Sequence, residues 1–409
     1  MAVPAEDVVI VGGGPAGAAT AILLRRQGYG VTLLEKAHLP RPKPCGESLS
    51  PEATPLLAKL GVLETLKKGR HGDLAGFMIF PYEDAPFHGS YAARCAGNPV
   101  RATGMTIPRM QLDAVLLDAA RSSGVTVREG WAVRDVGLWD GHGRQVSGRT
   151  SEGDPFALRT LLLVGADGVH STVAQRLGLS RPSRRLRQVA IVTHMQGVAG
   201  MGAYGEMHVS EHGYCGVAPL GGDLANVAIV GPAAKVAEEL RSSNDVTRFF
   251  RAHLDLYPQL GPRLRNAAIV AGPWTTSGLA RRVRRRVDDG LMLVGDAGGY
   301  YDPFTGEGMY RGLRSAELAA EVAGTALEQG DTRAPALQRY AAGYRKQFAP
   351  KRLVEIIVHE VTIRRPLFEH VSVRLRQRQH LADALIGVTG DFLSPYEVLS
   401  PWYLTRLVV

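Results

Sequence analysis

The opening stretch, DVVIVGGGPAGAATAILLRRQGYGVTLLEK (residues 7–36), constrains this chain more than any other part. Val8 to Val11 is an unbroken apolar run of the kind a buried strand needs. Gly12, Gly14 and Gly17 follow at GxGxxG spacing. A helical pattern runs from Ala16 to Arg26 and stops near Gly28, and Val31 to Leu34 reads as a second strand that ends at Glu35 and Lys36. Each glycine has its own task. Gly12 permits a tight turn, Gly14 lets a pyrophosphate approach the backbone, and Gly17 lets the helix pack closely on the sheet. Free N–H groups at the helix N-terminus complete an anion site. Glu35 lies about 20 residues past the second glycine, where a carboxylate accepts hydrogen bonds from a ribose diol. The unit predicts a dinucleotide site and leaves FAD and NAD both open.

Composition narrows the class. With 45% hydrophobic and 21% charged residues, the 409-residue chain is neither wholly disordered nor short of core material. Three cysteines, Cys45, Cys95 and Cys215, exclude a disulfide scaffold and fit a reducing compartment. The net charge of +9 attracts anions but identifies none. No zinc-finger spacing or RNA-binding signature accompanies it, so neither a nucleic-acid partner nor a metal site is expected. No export leader and no run of about 20 apolar residues is evident. The expected location is cytoplasmic, with peripheral contact at the inner membrane surface left open.

Three distant segments resolve the cofactor. They are TIPRMQLDAVLLDAA (106–120), LLLVGADGVHSTVAQRLG (161–178) and LMLVGDAGGYYDPFTGEGMYRGLRSAELAAE (291–321). Their order and spacing resemble the FAD-dependent oxidoreductases that include aromatic hydroxylases, flavin halogenases and geranylgeranyl reductases. The resemblance covers most of residues 5–325. It implies that Asp296, after Gly295, bonds a ribityl hydroxyl and that Pro303 lies close to the isoalloxazine ring. It also implies that Gly306 and Gly308 let the backbone approach the pyrimidine end, where a helix N-terminus stabilises negative charge. Arg109 resembles the arginine that holds the cofactor side of the cleft, with Asp113 one turn on. Asp167-Gly168 resembles the DG element that supports the cofactor region.

The implied fold is α/β: a Rossmann-like FAD-binding domain with an inserted antiparallel-sheet substrate domain and a helical C-terminal extension. The expected boundaries are 1–75, 104–178 and 279–345 for the discontinuous FAD-binding domain, 76–103 and 179–278 for the substrate domain, and 346–409 for the helical region. Residues 234–257 read as helical. Pro350 and Pro366 are expected to interrupt the helices of residues 335–386. The run RRVRRR (281–286) is open to phosphate, an anionic membrane or a carrier protein, or is simply a solvated face.

The substrate side carries conflicting signals. PKPCGESLSP (42–51) combines a reductase-like lysine–cysteine–glycine stretch, Lys43, Cys45 and Gly46, with a halogenase-like glycine–glutamate–serine stretch, Gly46, Glu47 and Ser48. It implies that Cys45 and Gly46 border the flavin. The tryptophan–x–tryptophan–x–isoleucine–proline signature of halogenases is absent. The GDA sequence continues as Gly298-Gly299, as in the prenyl reductases, and not with the histidine common in aromatic hydroxylases. The reductase pocket signature aromatic–x–tryptophan–x–phenylalanine–proline meets Tyr214-Cys215-Gly216-Val217-Ala218-Pro219 here, so Gly216 and Ala218 replace two large aromatics and reshape the cavity. Cys45, Tyr214 and Gly298–Gly299 are expected to border one flavin-proximal cavity. The resemblance favours reduction of carbon–carbon double bonds in a hydrophobic prenyl, quinone or polycyclic substrate. Monooxygenation of an aromatic or polyketide-like substrate is the alternative, and halogenation comes behind both. The electron donor is left open between transient NADPH or NADH and a protein.

Overall fold

The computed structural model describes residues 5–92, 103–183 and 186–408. Cys95 and the end of the 76–103 segment therefore lie outside the described residues. The expected opening unit forms a strand at Ala5–Val11, a helix at Pro15–Arg26 and a second strand at Val31–Glu35. These strands pair in parallel, and the sheet extends through Pro155–Gly165 to Leu291–Leu293 on one side and to Thr126–Glu129 on the other. Val8, Ile10, Leu33, Leu162 and Val164 are fully buried in it. Each such side chain contributes roughly 1.5–3 kcal/mol over its exposed state.

Helix Gly308–Glu328 crosses the same core and packs against Pro15–Arg26. Both helices bury small residues, Ala18, Ala19 and Ala21 on one and Ala316, Ala319 and Ala323 on the other. Small side chains allow close approach, which brings both helix N-termini to one end of the sheet.

A seven-stranded second sheet runs in the order 268–277, 188–196, 224–232, 213–219, 204–210, 76–80, 87–90. All its pairings are antiparallel except that of 204–210 with 76–80. Four strands, 188–196, 204–210, 213–219 and 224–232, run between Gln188 and Pro232. One face of this sheet packs on two short helices, Ala233–Ser243 and Val246–Leu254. The helix pattern of 234–257 is thus broken once, at Asn244. This residue adopts φ +52°, and the Asp245 carboxylate caps the next helix by accepting from the Thr247 and Arg248 N–H groups.

The other face meets C-terminal helices at Ala334–Thr362, Arg365–Gln377, Gln379–Thr389 and Pro401–Val408. Pro350 does not interrupt them, because Ala334–Thr362 runs straight through it. Buried Tyr344, Phe348, Lys351 and Val354 flank the proline, and their packing outweighs the roughly 3 kcal/mol that an interior proline costs. Pro366 stands in the first turn of its helix, where its missing N–H is no loss. The arginine run does not form one face. Arg281 is buried and bonds Ser180, whereas Arg286 stacks on the Tyr344 ring at 4.0 Å.

Candidate functional site

A cleft of about 500 Å³ lies between the parallel sheet and the second sheet. At one end the glycine turn forms its floor. Gly12 holds φ +107°, and a Cβ there would come within 2.5 Å of the Ala166 carbonyl oxygen. A Cβ on Gly17 would overlap the Gly12 carbonyl oxygen. Above Gly14 the space is open, and the nearest atoms are Lys43 Nζ and an Arg109 guanidinium nitrogen. Asp113, wholly buried, holds both cations there. Its carboxylate accepts two hydrogen bonds of 3.0 Å from Arg109 and pairs with Lys43 at 2.8 Å. Burial works against this carboxylate, but the Arg109 and Lys43 charges outweigh burial and hold it below the usual range. Desolvation lowers Lys43 despite Asp113 beside it.

Glu35 accepts from the Gly13 N–H at 2.8 Å and from the Ala37 N–H at 3.1 Å. A carboxylate has about four acceptor positions, so capacity remains on the cleft side. Trp131 lines this end as well, stacked near Phe156 and Arg128. Nothing in its sequence surroundings marked Trp131, because it reaches the cleft only through strand pairing. Asp167 accepts from the Thr172 and Val173 N–H groups through Oδ2, while its buried Oδ1 has no partner among the described residues. Burial raises Asp167, and the same cause raises Asp296. Asp296 lines the cleft and makes no side-chain hydrogen bond among the described residues.

The loop carrying Cys45 is pinned by Glu47. This residue adopts φ +58°, a conformation costing on the order of 1–3 kcal/mol for a non-glycine residue. Its carboxylate offsets that cost by accepting from the Arg109 backbone N–H at 2.7 Å and from Asn226 at 3.0 Å, with His194 Nε2 at 2.7 Å. Asn226 also donates to the Cys45 carbonyl. Cys45 lines the cleft, and burial pushes its thiol up, so it is kept protonated.

The second sheet forms the opposite wall. Strand alternation turns Tyr214, Gly216 and Ala218 toward the cleft and Cys215 into the core behind. A Cβ on Gly216 would meet only Met207, at 3.7 Å, so the wall is recessed there. Pro303, Gly306 and Gly308 line the end beside Tyr214, together with Tyr300 and Phe304. Tyr214 donates to Asp302 at 2.8 Å, and Asp302 also faces His359 Nδ1 at 2.9 Å.

The structure therefore brings Gly12, Gly14, Glu35, Lys36, Cys45, Gly46, Arg109, Asp167, Gly168, Tyr214, Gly216, Ala218, Gly295, Asp296, Pro303, Gly306 and Gly308 to one cleft. Gly17 supports it from behind. Pro219, Gly298 and Gly299 are not in its wall. Pro219 turns away and its carbonyl accepts from Thr106 Oγ1. Gly298 and Gly299 pack against Leu293 and Arg286, behind the loop they belong to. Asp302 and His359 escaped sequence reading because 57 residues separate them, a span that only the C-terminal helix packing closes.

A second cavity, of about 100 Å³, lies between the second sheet and the C-terminal helices. Ile79, Val358, Phe368 and Leu375 are among its apolar lining. It shares Phe77, Met207 and Phe304 with the cleft.

The model of the FAD binding domain family matches residues 5–351. A digeranylgeranylglycerophospholipid reductase of Methanothermobacter thermautotrophicus is 30% identical over 356 residues, covering 83% of each chain. A conditioned medium factor receptor of Dictyostelium discoideum is 26% identical over 403 residues, 94% of this chain and 76% of its own. The crystal structure of a flavoprotein/dehydrogenase from Cytophaga hutchinsonii superposes with a TM-score of 0.83 at 19% identity, covering 98% of this chain and 96% of the other. The residues present fit FAD. Two cations stand over an open glycine turn for the diphosphate, and the orphaned Asp167 oxygen and the unbonded Asp296 carboxylate stand ready for hydroxyls.

Proposed function

The chain belongs to the FAD binding domain family, and we propose that it uses that cofactor to reduce a carbon–carbon double bond in a hydrophobic, prenyl-bearing or polycyclic substrate. It is an FAD-dependent oxidoreductase; the reaction and substrate are the proposal. The observation that carries it is the apolar chamber that meets the cleft at Phe77, Met207 and Phe304. A long apolar substrate gains roughly 25 cal/mol for each Å² it removes from water there. Its reacting end then reaches the cleft beside Pro303. Similarity to a reductase of unsaturated lipids over most of both chains supports the same direction.

Bound FAD supplies hydride when reduced. The chain's own residues do the rest. Lys43 and Arg109 hold the diphosphate as charge-assisted donors. Asp296 and Asp167 accept cofactor hydroxyls. The helix beginning at Gly308 turns its N-terminal N–H groups to the cleft and favours negative charge there. The recess at Gly216 and Ala218 leaves room for a bulky reacting group, and the surrounding apolar wall excludes water. NADPH or NADH visiting this cleft, or a protein donor, supplies the electrons. Among the described residues no helix is long and apolar enough to cross a membrane.

The test uses chemically reduced holoprotein under strict anaerobiosis with candidate prenyl lipids and quinones. Mass spectrometry is expected to find a two-hydrogen gain. No gain, together with an O₂-dependent product carrying ¹⁸O from labelled oxygen, would overturn the proposal in favour of monooxygenation.

A further inference from the structure

Reduction of a double bond consumes a proton as well as a hydride, and both add in the cleft beside Pro303. One polar path reaches that place. The Tyr214 hydroxyl donates to Asp302 Oδ1 at 2.8 Å. The Phe304 N–H donates to the same oxygen at 2.8 Å and fixes its direction. The other oxygen accepts from Gln188 at 3.1 Å and faces His359 Nδ1 at 2.9 Å. The Asp302 side chain is 2% exposed and that of His359 14%, so the chain of groups runs from the buried wall toward solvent. The Tyr214 ring packs edge-on against Phe304 at 5.0 Å. Phe304 is one of the residues at which chamber and cleft meet. Tyr214 therefore stands where a substrate seated in the chamber enters the cleft.

From this geometry we propose that Tyr214 is the proton donor of the reaction and that Asp302 and His359 return a proton to it from solvent. The inference rests on the reductase reading above. The balance is complete. Hydride from the reduced cofactor bonds one alkene carbon, the π pair of the double bond takes the Tyr214 proton at the other, and FAD is left oxidised. As the Tyr214 proton leaves, a proton passes from His359 through Asp302 to the phenolate oxygen, and water returns one to His359. Asp302 is indispensable to this order. Burial first, and the Asp302 charge second, push Tyr214 far above its ordinary value, so an isolated phenolate there would be strongly disfavoured.

Asp302 and Tyr301 from the loop stand beside His359, and Arg352, Glu355 and Glu360 of the same helix as His359 act on Tyr301. Arg352 sits over the Tyr301 ring at 5.6 Å, so it is already engaged.

The experiment is anaerobic single turnover of reduced holoprotein with the candidate prenyl lipids and quinones named above, followed by flavin absorbance and product mass. Tyr214→Phe is expected to slow turnover by about 100-fold. Flavin content should stay unchanged. His359→Gln is expected to slow the single-turnover rate in the same direction while the amount of bound flavin stays at the wild-type level. A Tyr214→Phe rate within twofold of wild type, with the two-hydrogen gain intact, would overturn the relay and leave the reductase reading standing. Absence of a two-hydrogen gain in wild type would overturn both. Circular dichroism and bound flavin in each variant separate a folding defect from a proton-transfer defect. If Tyr214→Phe fails to fold, Asp302→Asn, which keeps the side chain's shape, carries the same expectation of slowed turnover with flavin retained, and an unslowed Asp302→Asn overturns the relay.

Discussion

The cofactor end of the cleft and the apolar chamber behind it are neighbours built on opposite plans. The first is made by backbone and charge. Gly12, Gly14 and Gly17 shape a turn within a few residues, and one buried carboxylate, Asp113, holds two cations over it. The chamber has no such local unit. Its walls come from strand 76–80, from Met207, from the loop at Phe304 and from four C-terminal helices. A charged, backbone-made site tolerates little change, because each atom has a fixed partner. An apolar site made of many side chains spreads the same burden and loses it in small portions.

The sharpest break falls at the glycine turn. Gly17→Val places side-chain atoms on the Gly12 carbonyl and is expected to purify without flavin, read by absorbance of the released cofactor. Asp113→Ala should come next. It leaves Arg109 and Lys43 largely buried without their anion, a loss of about 3–5 kcal/mol measured by denaturant unfolding. Because the folded protein holds Asp113 below the usual carboxylate range, its stabilisation is present above the unfolded value and is lost as pH falls through the folded one. Wild type should show that acid limb, and Asp113→Ala should flatten it.

On the chamber side, Leu375→Ala is expected to cost about 2–5 kcal/mol while flavin content stays at the wild-type level. Retention of cofactor with loss of stability would show that the two regions fail independently. Concurrent loss of flavin would show that they do not.

A pH-dependent effect lies at the seam between them. Glu307, buried at the start of helix Gly308–Glu328, is pushed up to about 8 by desolvation, against the pull of Lys351. Lys351 pairs with Asp391 and Arg311 with Glu355 in the same cluster. A raised carboxyl stabilises the fold below its unfolded value and gives that stabilisation up as pH rises through the folded value. The thermal midpoint of wild type should therefore fall from about pH 5 to pH 8, and Glu307→Gln should reduce that fall.

The two regions were also unequally visible in the chain. The nucleotide unit stands in a short segment whose glycine spacing carries its meaning, and the cleft-lining Arg109, Asp296 and Pro303 stand in segments that the family resemblance singled out, whereas Lys43 was marked only as part of the lysine–cysteine–glycine stretch. The reach of Tyr214 toward the cleft follows from strand alternation, once its strand is known. By contrast, the expected break at Pro350 failed because local propensity there is overruled by Tyr344, Phe348 and Val354 packing. Gly298 and Gly299 share a segment with Asp296 yet turn away from the cleft, since the 3₁₀ turn at Gly295–Gly298 points successive residues to different sides.

The sequence alone determined that this chain would wind a βαβ unit around a dinucleotide, because turn geometry, phosphate approach and helix packing each demand glycine at a fixed offset. It also determined the small residues of the wall. Only the tertiary structure decided that Asp302 would join Tyr214 to His359, that Glu47 would gather Arg109, His194 and Asn226, and that C-terminal helices would close an apolar chamber onto the cleft. These contacts span from tens to hundreds of residues, and they form only when separate sheets and helices bury their apolar faces against one another, a pairing that no local spacing encodes.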